Sequence, residues 1–173
     1  MNSDATAADR IIGTLRTEDG HGVVHMQDRF DTEIDDLWSA LTDPARLARW
    51  LGEFDGDLRQ GGEFTARFYA SEWQGNGRVD ACDPPHHLAI TTMQAGPAKQ
   101  HTIEATLIPD GDGTTLILEE RGMPLNLLAA YGAGIQIHIE DLAAHLAGHG
   151  RCDARARWNQ LHPAYEALAP ENR

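Results

Sequence analysis

The chain has 173 residues, 41% of them hydrophobic, which suits one globular domain with a substantial core. A formal net charge of −13, from 27 acidic against 14 basic residues, argues against nucleic acid and anionic membrane surfaces as partners. The two cysteines, Cys82 and Cys152, fall in no CxxC or Cys/His metal spacing and make no disulfide framework, so reduced thiols and a cytoplasmic location are expected.

Residues 1–10 are small and polar and lack the apolar core of a signal peptide; they are expected to form a flexible N-terminus. No run approaches the ~18 apolar residues of a spanning helix, so no membrane insertion is expected. The stretch "IIGTLRTEDGHGVVHMQDRFD" predicts two extended runs around "EDGHG", because Asp-Gly and a second Gly supply hairpin chemistry. In the second run Val24, Met26, Asp28 and Phe30 share one face, with Asp28 the polar exception. Thr32 reads as the N-cap of a helix through "EIDDLWSAL", whose Leu37, Trp38 and Leu41 face inward. Asp43 followed by Pro44 predicts the cap and first position of a second short helix, with Leu47, Trp50 and Leu51 inward and Gly52 as its stop.

From residue 53 to about 121 the period changes to two. "GGEFTARFYA" sets Phe64, Ala66 and Phe68 on one face, and "WQGNGRVDAC" sets Trp73, Gly75, Gly77, Val79 and Ala81 together. "HLAITTM", "HTIEATLI" and "TTLILEE" follow, separated by "DPPH", "QAGPAK" and "PDGDG". These predict five antiparallel strands in a meander, with residues 55–58 a candidate for one more. One long helix is predicted over 125–149, then a terminal helical segment, "DARARWNQLHPAYEAL", broken near Pro163. The domain is expected to span 11–150, with 151–173 a C-terminal helical extension whose Trp158, Leu161, Tyr165 and Leu168 pack on their own domain or on a second copy in a homodimer.

This order of elements implies an α+β fold in which a curved antiparallel sheet grips the long helix and leaves a ligand pocket between them. The segment "DRFDTEIDDLWSALTDPARLARWLGEFDGDLRQGGEF" resembles the opening of the START-related SRPBCC, or helix-grip, superfamily. Its branch named after the C-terminal domain of the activator of heat-shock-protein-90 ATPase is the most similar. That branch's pattern falls on Leu37, Trp38, Thr42, Asp43, Pro44, Leu47, Trp50, Gly61, Gly62 and Phe64. "GRVDACDPPHHL" is similar to a second family stretch through Gly77, Val79, Pro84, Pro85 and Leu88, and "TTLILEERG" also fits. The resemblance covers roughly residues 12–149. It implies a helix-grip fold with two short helices after the first strand, and a superfamily that includes lipid carriers, hormone receptors and polyketide cyclases.

On the long helix, Leu128, Ile135, Ile139, Leu142 and Leu146 make the core stripe, while Ile137 and Glu140 lie on the far side. His138, His145 and His149 share a flank. The favoured reading is imidazoles at the helix–sheet boundary with one tip in water; a polar pocket wall and a metal site that adds Asp141 are the alternatives. Alternation also turns Asp28, His101 and Glu120 inward, and His101 and Glu120 are the only, weak, catalytic candidates. No GxSxG, HExxH or P-loop is present, and Cys82 reads as structural. The expected function is therefore binding of a small hydrophobic molecule for sequestration, transport or sensing, by Phe64, Phe68, Trp73, Met93, Ile103, Tyr131, Ile135 and His138. No metal or cofactor is expected. The alternatives are a cyclase, dehydratase or hydrolase, and a co-chaperone-like or regulatory interaction module.

Overall fold

The computed structural model describes residues 10–94 and 100–170. Nearly all of the expected flexible N-terminus and of the "QAGPAK" turn lies outside these residues. Among the described residues there are eight strands: β1 (Gly13–Glu18), β2 (His21–Phe30), β3 (Gly52–Gly56), β4 (Glu63–Phe68), β5 (Gln74–Asp83), β6 (His87–Gln94), β7 (Gln100–Asp110) and β8 (Gly113–Met123). The helices are α1 (Ile34–Thr42), α2 (Pro44–Trp50), α3 (Leu128–Leu146) and α4 (Ala154–Leu168).

All strands pair antiparallel in one sheet of order β1-β2-β8-β7-β6-β5-β4-β3. The meander from β3 to β8 follows the sequence, and the β1–β2 hairpin docks on β8. Irregularities between Gly22 and Val23 and between Val79 and Ala81 interrupt the register, a device that bends strands and lets a sheet curl. The hairpin turns on Asp19 and Gly20, whose φ angles of 50° and 79° are what a two-residue turn between twisted strands requires. Because Gly13–Glu18 forms a strand of its own, the two short helices follow the second strand of the chain rather than the first.

Asp43 caps α2 as expected, accepting from the Ala45 N–H at 3.0 Å, with Pro44 in the first turn. Three local expectations are corrected. Glu33, not Thr32, holds the N-cap position of α1; the Thr32 hydroxyl donates instead to the Asp36 carboxylate at 2.6 Å. Gly52 does not stop α2, because Leu51 ends it in right-handed conformation with its N–H on the Leu47 carbonyl. Gly52 opens β3. Pro163 does not break α4, whose Leu161 and Tyr165 on either side of it are both 0% exposed and tie both halves to the core.

The core runs from α1 and α2 through the concave sheet face to α3, joining Leu37, Trp50, Met26, Leu116, Leu128 and Leu142. The long helix starts after a 3₁₀ turn, Leu125–Leu127, and is shorter than the predicted 125–149. Its expected stripe is buried, Leu146 partly so. Its far side is covered as well: Ile137 is 2% exposed, and Glu140 accepts from Arg157 Nε of α4 at 2.6 Å. A buried amide, Gln136, stands where the segment just before β1 meets α4. Its Nε2 donates to the Arg10 carbonyl at 2.6 Å and to Glu140 at 3.1 Å. Its Oε1 accepts from the Ile12 N–H at 3.3 Å and from the Tyr165 hydroxyl at 2.6 Å.

Candidate functional site

A cavity of about 1120 Å³ lies between α3, the β4–β5 hairpin, the middle of the sheet and the first turns of α4. Strand alternation explains the sheet wall. Ile103 pairs with Glu120 across β7–β8, and Thr92 pairs with His101 across β6–β7, so these residues share the concave face. Tyr131, Ile135 and His138 descend from α3 at helical spacing, and Phe68 and Trp73 close the hairpin side with ring centroids 4.8 Å apart.

His101, one of the two catalytic candidates, is not among the lining residues, whereas Phe68, Trp73, Ile103, Tyr131, Ile135, His138 and Glu120 all line the cavity. Phe64 and Met93 do not. Phe64, 5% exposed, packs with Ala66, Val79 and Phe54, and its ring lies so close over Gly77 that a Cβ there would sit 2.3 Å from it. Met93 follows Thr92 on β6 and by alternation belongs to the opposite face. Thr92 and the hairpin residues Tyr69, Ser71, Glu72 and Gln74 are among the lining residues that reasoning from sequence passed over. It also missed the α4 contribution, Ala154, Arg155, Trp158 and Asn159. The signal for α4 was Trp158, whose own-domain packing had been one of two open options.

The polar groups fall in two places. At the sheet, His101 is 3% exposed, with Nδ1 3.6 Å from Glu120 Oε1 and its ring edge-on to Tyr131 at 5.2 Å. Its Nε2 is buried with no hydrogen-bond partner among the described residues. Burial, and then the charge of Glu120, raise the Tyr131 pKa, so the phenol stays a donor. Across the cavity, His138 sets its ring edge-on to Phe68 at 5.3 Å. Burial pushes its pKa down to about 4, which leaves the ring neutral at pH 7. Its Nε2 is sealed and likewise unpartnered among the described residues, although the residue keeps some exposure overall.

The histidine helix therefore does not behave as one flank with wet tips. His138 is pocket wall. His145 accepts from Arg46 Nε at 3.2 Å, and burial and then Arg46 and Arg49 lower its pKa. His149 is exposed, and Asp141 turns away to accept from the Cys152 N–H at 2.8 Å. Among the described residues no group of three His, Cys, Asp or Glu side chains converges in a way that could hold a metal ion. Asp28 is turned in as expected but is held by Arg10 and is not among the residues that line this cavity. Cys82 and Cys152 are free thiols; burial pushes the Cys152 thiol up to about 12, far from a nucleophile's range. No helix among the described residues is long and apolar enough to cross a membrane.

Comparison with known structures extends this picture. The crystal structure of CalU16 from Micromonospora echinospora is 29% identical, with a TM-score of 0.76 over 92% of this chain and 96% of that one. Its solution structure is 26% identical, with a TM-score of 0.76 over 97% of both chains, a span that takes in the α4 region. DynU16, from the dynemicin biosynthetic locus, is 24% identical with a TM-score of 0.69 over 76% of this chain and 50% of its own, and is similar in fold. No curated protein sequence matches. Residues 31–147, from just before α1 to the end of α3, match the sequence model described as "Activator of Hsp90 ATPase homolog 1-like protein". That match spans more than half of the chain and agrees with the curled sheet around α3, so the protein belongs to the Activator of Hsp90 ATPase homolog 1-like family, within the helix-grip superfamily.

Proposed function

We propose that the protein binds a small, mainly hydrophobic molecule in this cavity, and so sequesters, carries or senses it. The observation that supports this reading is the cavity itself: about 1120 Å³, walled by Phe68, Trp73, Ile135 and Trp158 with a few placed polar groups. Sites of this kind are mostly apolar and use sparse polar groups to orient the guest. A cytoplasmic location and a homodimeric state belong to the same reading. Native mass spectrometry of the purified protein tests both the binding and the dimer, through adducts and through the mass of the assembly. Thermal unfolding with the released molecule should rise by several degrees, since a ligand at one hundred times its Kd adds about 2.7 kcal/mol. Phe68→Ala, which removes a cavity wall, should erase most of that gain. A cavity that retains nothing and responds to no apolar compound sinks the proposal.

One observation favours a second reading, enzymatic turnover of the bound molecule. Glu120 lines the cavity and the other catalytic candidate, His101, has its Nδ1 3.6 Å from that carboxylate, an acid–base pair that a bound substrate would have to draw into hydrogen-bond range to move a proton. Recovery of the bound molecule with altered mass from wild type, and unaltered from Glu120→Gln, supports turnover. Unaltered recovery from both discards it.

A further inference from the structure

The sign of charge around the cavity narrows the ligand class. Glu120 projects from the concave face of β8 into the wall with its side chain 12% exposed. A carboxylate has about four lone-pair sites. Among the described residues Glu120 accepts no hydrogen bond, and the only cationic-type nitrogen within 4.0 Å is His101 Nδ1, at 3.6 Å, beyond hydrogen-bond range. Its acceptor sites are thus left unfilled by the protein at the edge of an apolar cavity, where a ligand's donor or positive charge can take them.

The surroundings favour a cation as that partner. Phe68, Trp73, Tyr131 and Trp158 ring the cavity, and aromatic rings attract ammonium groups through their negative faces. His138 adds no charge at pH 7, since burial holds its pKa near 4. Against Glu120 and Glu72 the wall sets one guanidinium, Arg155, exposed on α4. The chain as a whole carries −13, which raises the local concentration of cations.

We infer that the cavity selects an apolar molecule bearing a basic amine, with the ammonium group on the Glu120 carboxylate and the apolar body among Phe68, Trp73 and Ile135. This inference rests on the ligand-binding reading above and adds the ligand's charge to it. It sets the protein apart from a fatty-acid carrier, because a ligand carboxylate would face Glu120.

Matched probes with one apolar body decide the question: 1-pyrenemethylamine, its N-acetyl derivative, 1-pyrenemethanol and 1-pyreneacetic acid, each titrated by fluorescence anisotropy at pH 7. The amine should bind about tenfold more tightly than the alcohol or the acetylated amine, and the acid more weakly still. Glu120→Gln, checked for cooperative unfolding, should bring amine and alcohol to the same Kd. The acetylated probe makes the same comparison on wild type, without relying on the variant's folding. Equal binding of amine, alcohol and acetylated amine overturns the amine inference and leaves the cavity as a general apolar site. Tighter binding of the acid overturns it in favour of Arg155 as the anchor. No binding of any probe overturns both the amine inference and the ligand-binding reading.

Discussion

Glu119 and Glu120 are neighbours on β8 with opposite fates, because alternation sends one to each face of the sheet. Glu119 points away from the cavity into a charged cluster, accepting from Arg16 Nη1 at 3.0 Å and His25 Nδ1 at 2.7 Å, with Arg121 also in contact. The hydrogen bond from Arg16, reinforced by His25, holds its pKa at about 2, below the usual 4.5. A depressed carboxylate pKa stabilises the fold fully above the unfolded value and loses that contribution as pH falls from 4.5 through about 2. Glu119→Gln should therefore lower stability by about 1 kcal/mol at pH 7. Its Tm should change less than the wild type's between pH 4.5 and 2, as scanning calorimetry would read. His138 gives a second window. With its folded pKa near 4 against 6.5 unfolded, the unfolded chain binds the extra proton first, so stability falls as pH drops from 6.5 to 4. His138→Gln should remove that slope; an unchanged slope would mean that the ring is not sealed.

The helices obey their local signals unevenly. α2 is legible because both signals are covalent in origin: an Asp side chain at the cap and a Pro ring that presets φ. Asp43→Ala should cost about 1 kcal/mol in chemical denaturation, with the m-value unchanged. Gly52 and Pro163 misled for a shared reason. A stop signal states what a residue permits, whereas Leu51 could already close α2, and buried Leu161 and Tyr165 held α4 on course past its proline. Leu161→Ala should accordingly destabilise by about 2–5 kcal/mol, as a fully buried leucine does, although it lies outside the span matched by the family. A loss under 1 kcal/mol would show that α4 is loosely docked.

At the scale of the whole molecule, hydrophobic period and turn chemistry were enough to read the sheet, the paired short helices and the gripped helix. They also put His101 and Glu120 on the same sheet face, since both sit in strands with clear alternation, although of the two only Glu120 is among the lining residues. What could not be read depended on contacts distant in sequence. Met93 and Thr92 differ by one position, and only the pairing of Thr92 with His101 fixes which of them turns inward. Ile137 and His138 look half-exposed on a bare helix; in the fold the Phe68 ring packs on His138, and α4 closes over the far side through Arg157 on Glu140. The cavity is therefore a tertiary object, assembled from the sheet and both C-terminal helices.

That dependence gives Gln136 a significance beyond its own hydrogen bonds. Its single amide fastens the backbone ahead of β1 and the Tyr165 hydroxyl of α4 to the same point of α3. Loosening it would release both extremities in concert, so the guest chamber would lose its lid whenever the leading hairpin frayed. Gln136→Leu should accelerate amide hydrogen exchange in Gly13–Glu18 and Ala154–Leu168 by similar factors, while α1 and α2 exchange as before. Acceleration confined to one of the two segments would show that β1 and α4 breathe independently.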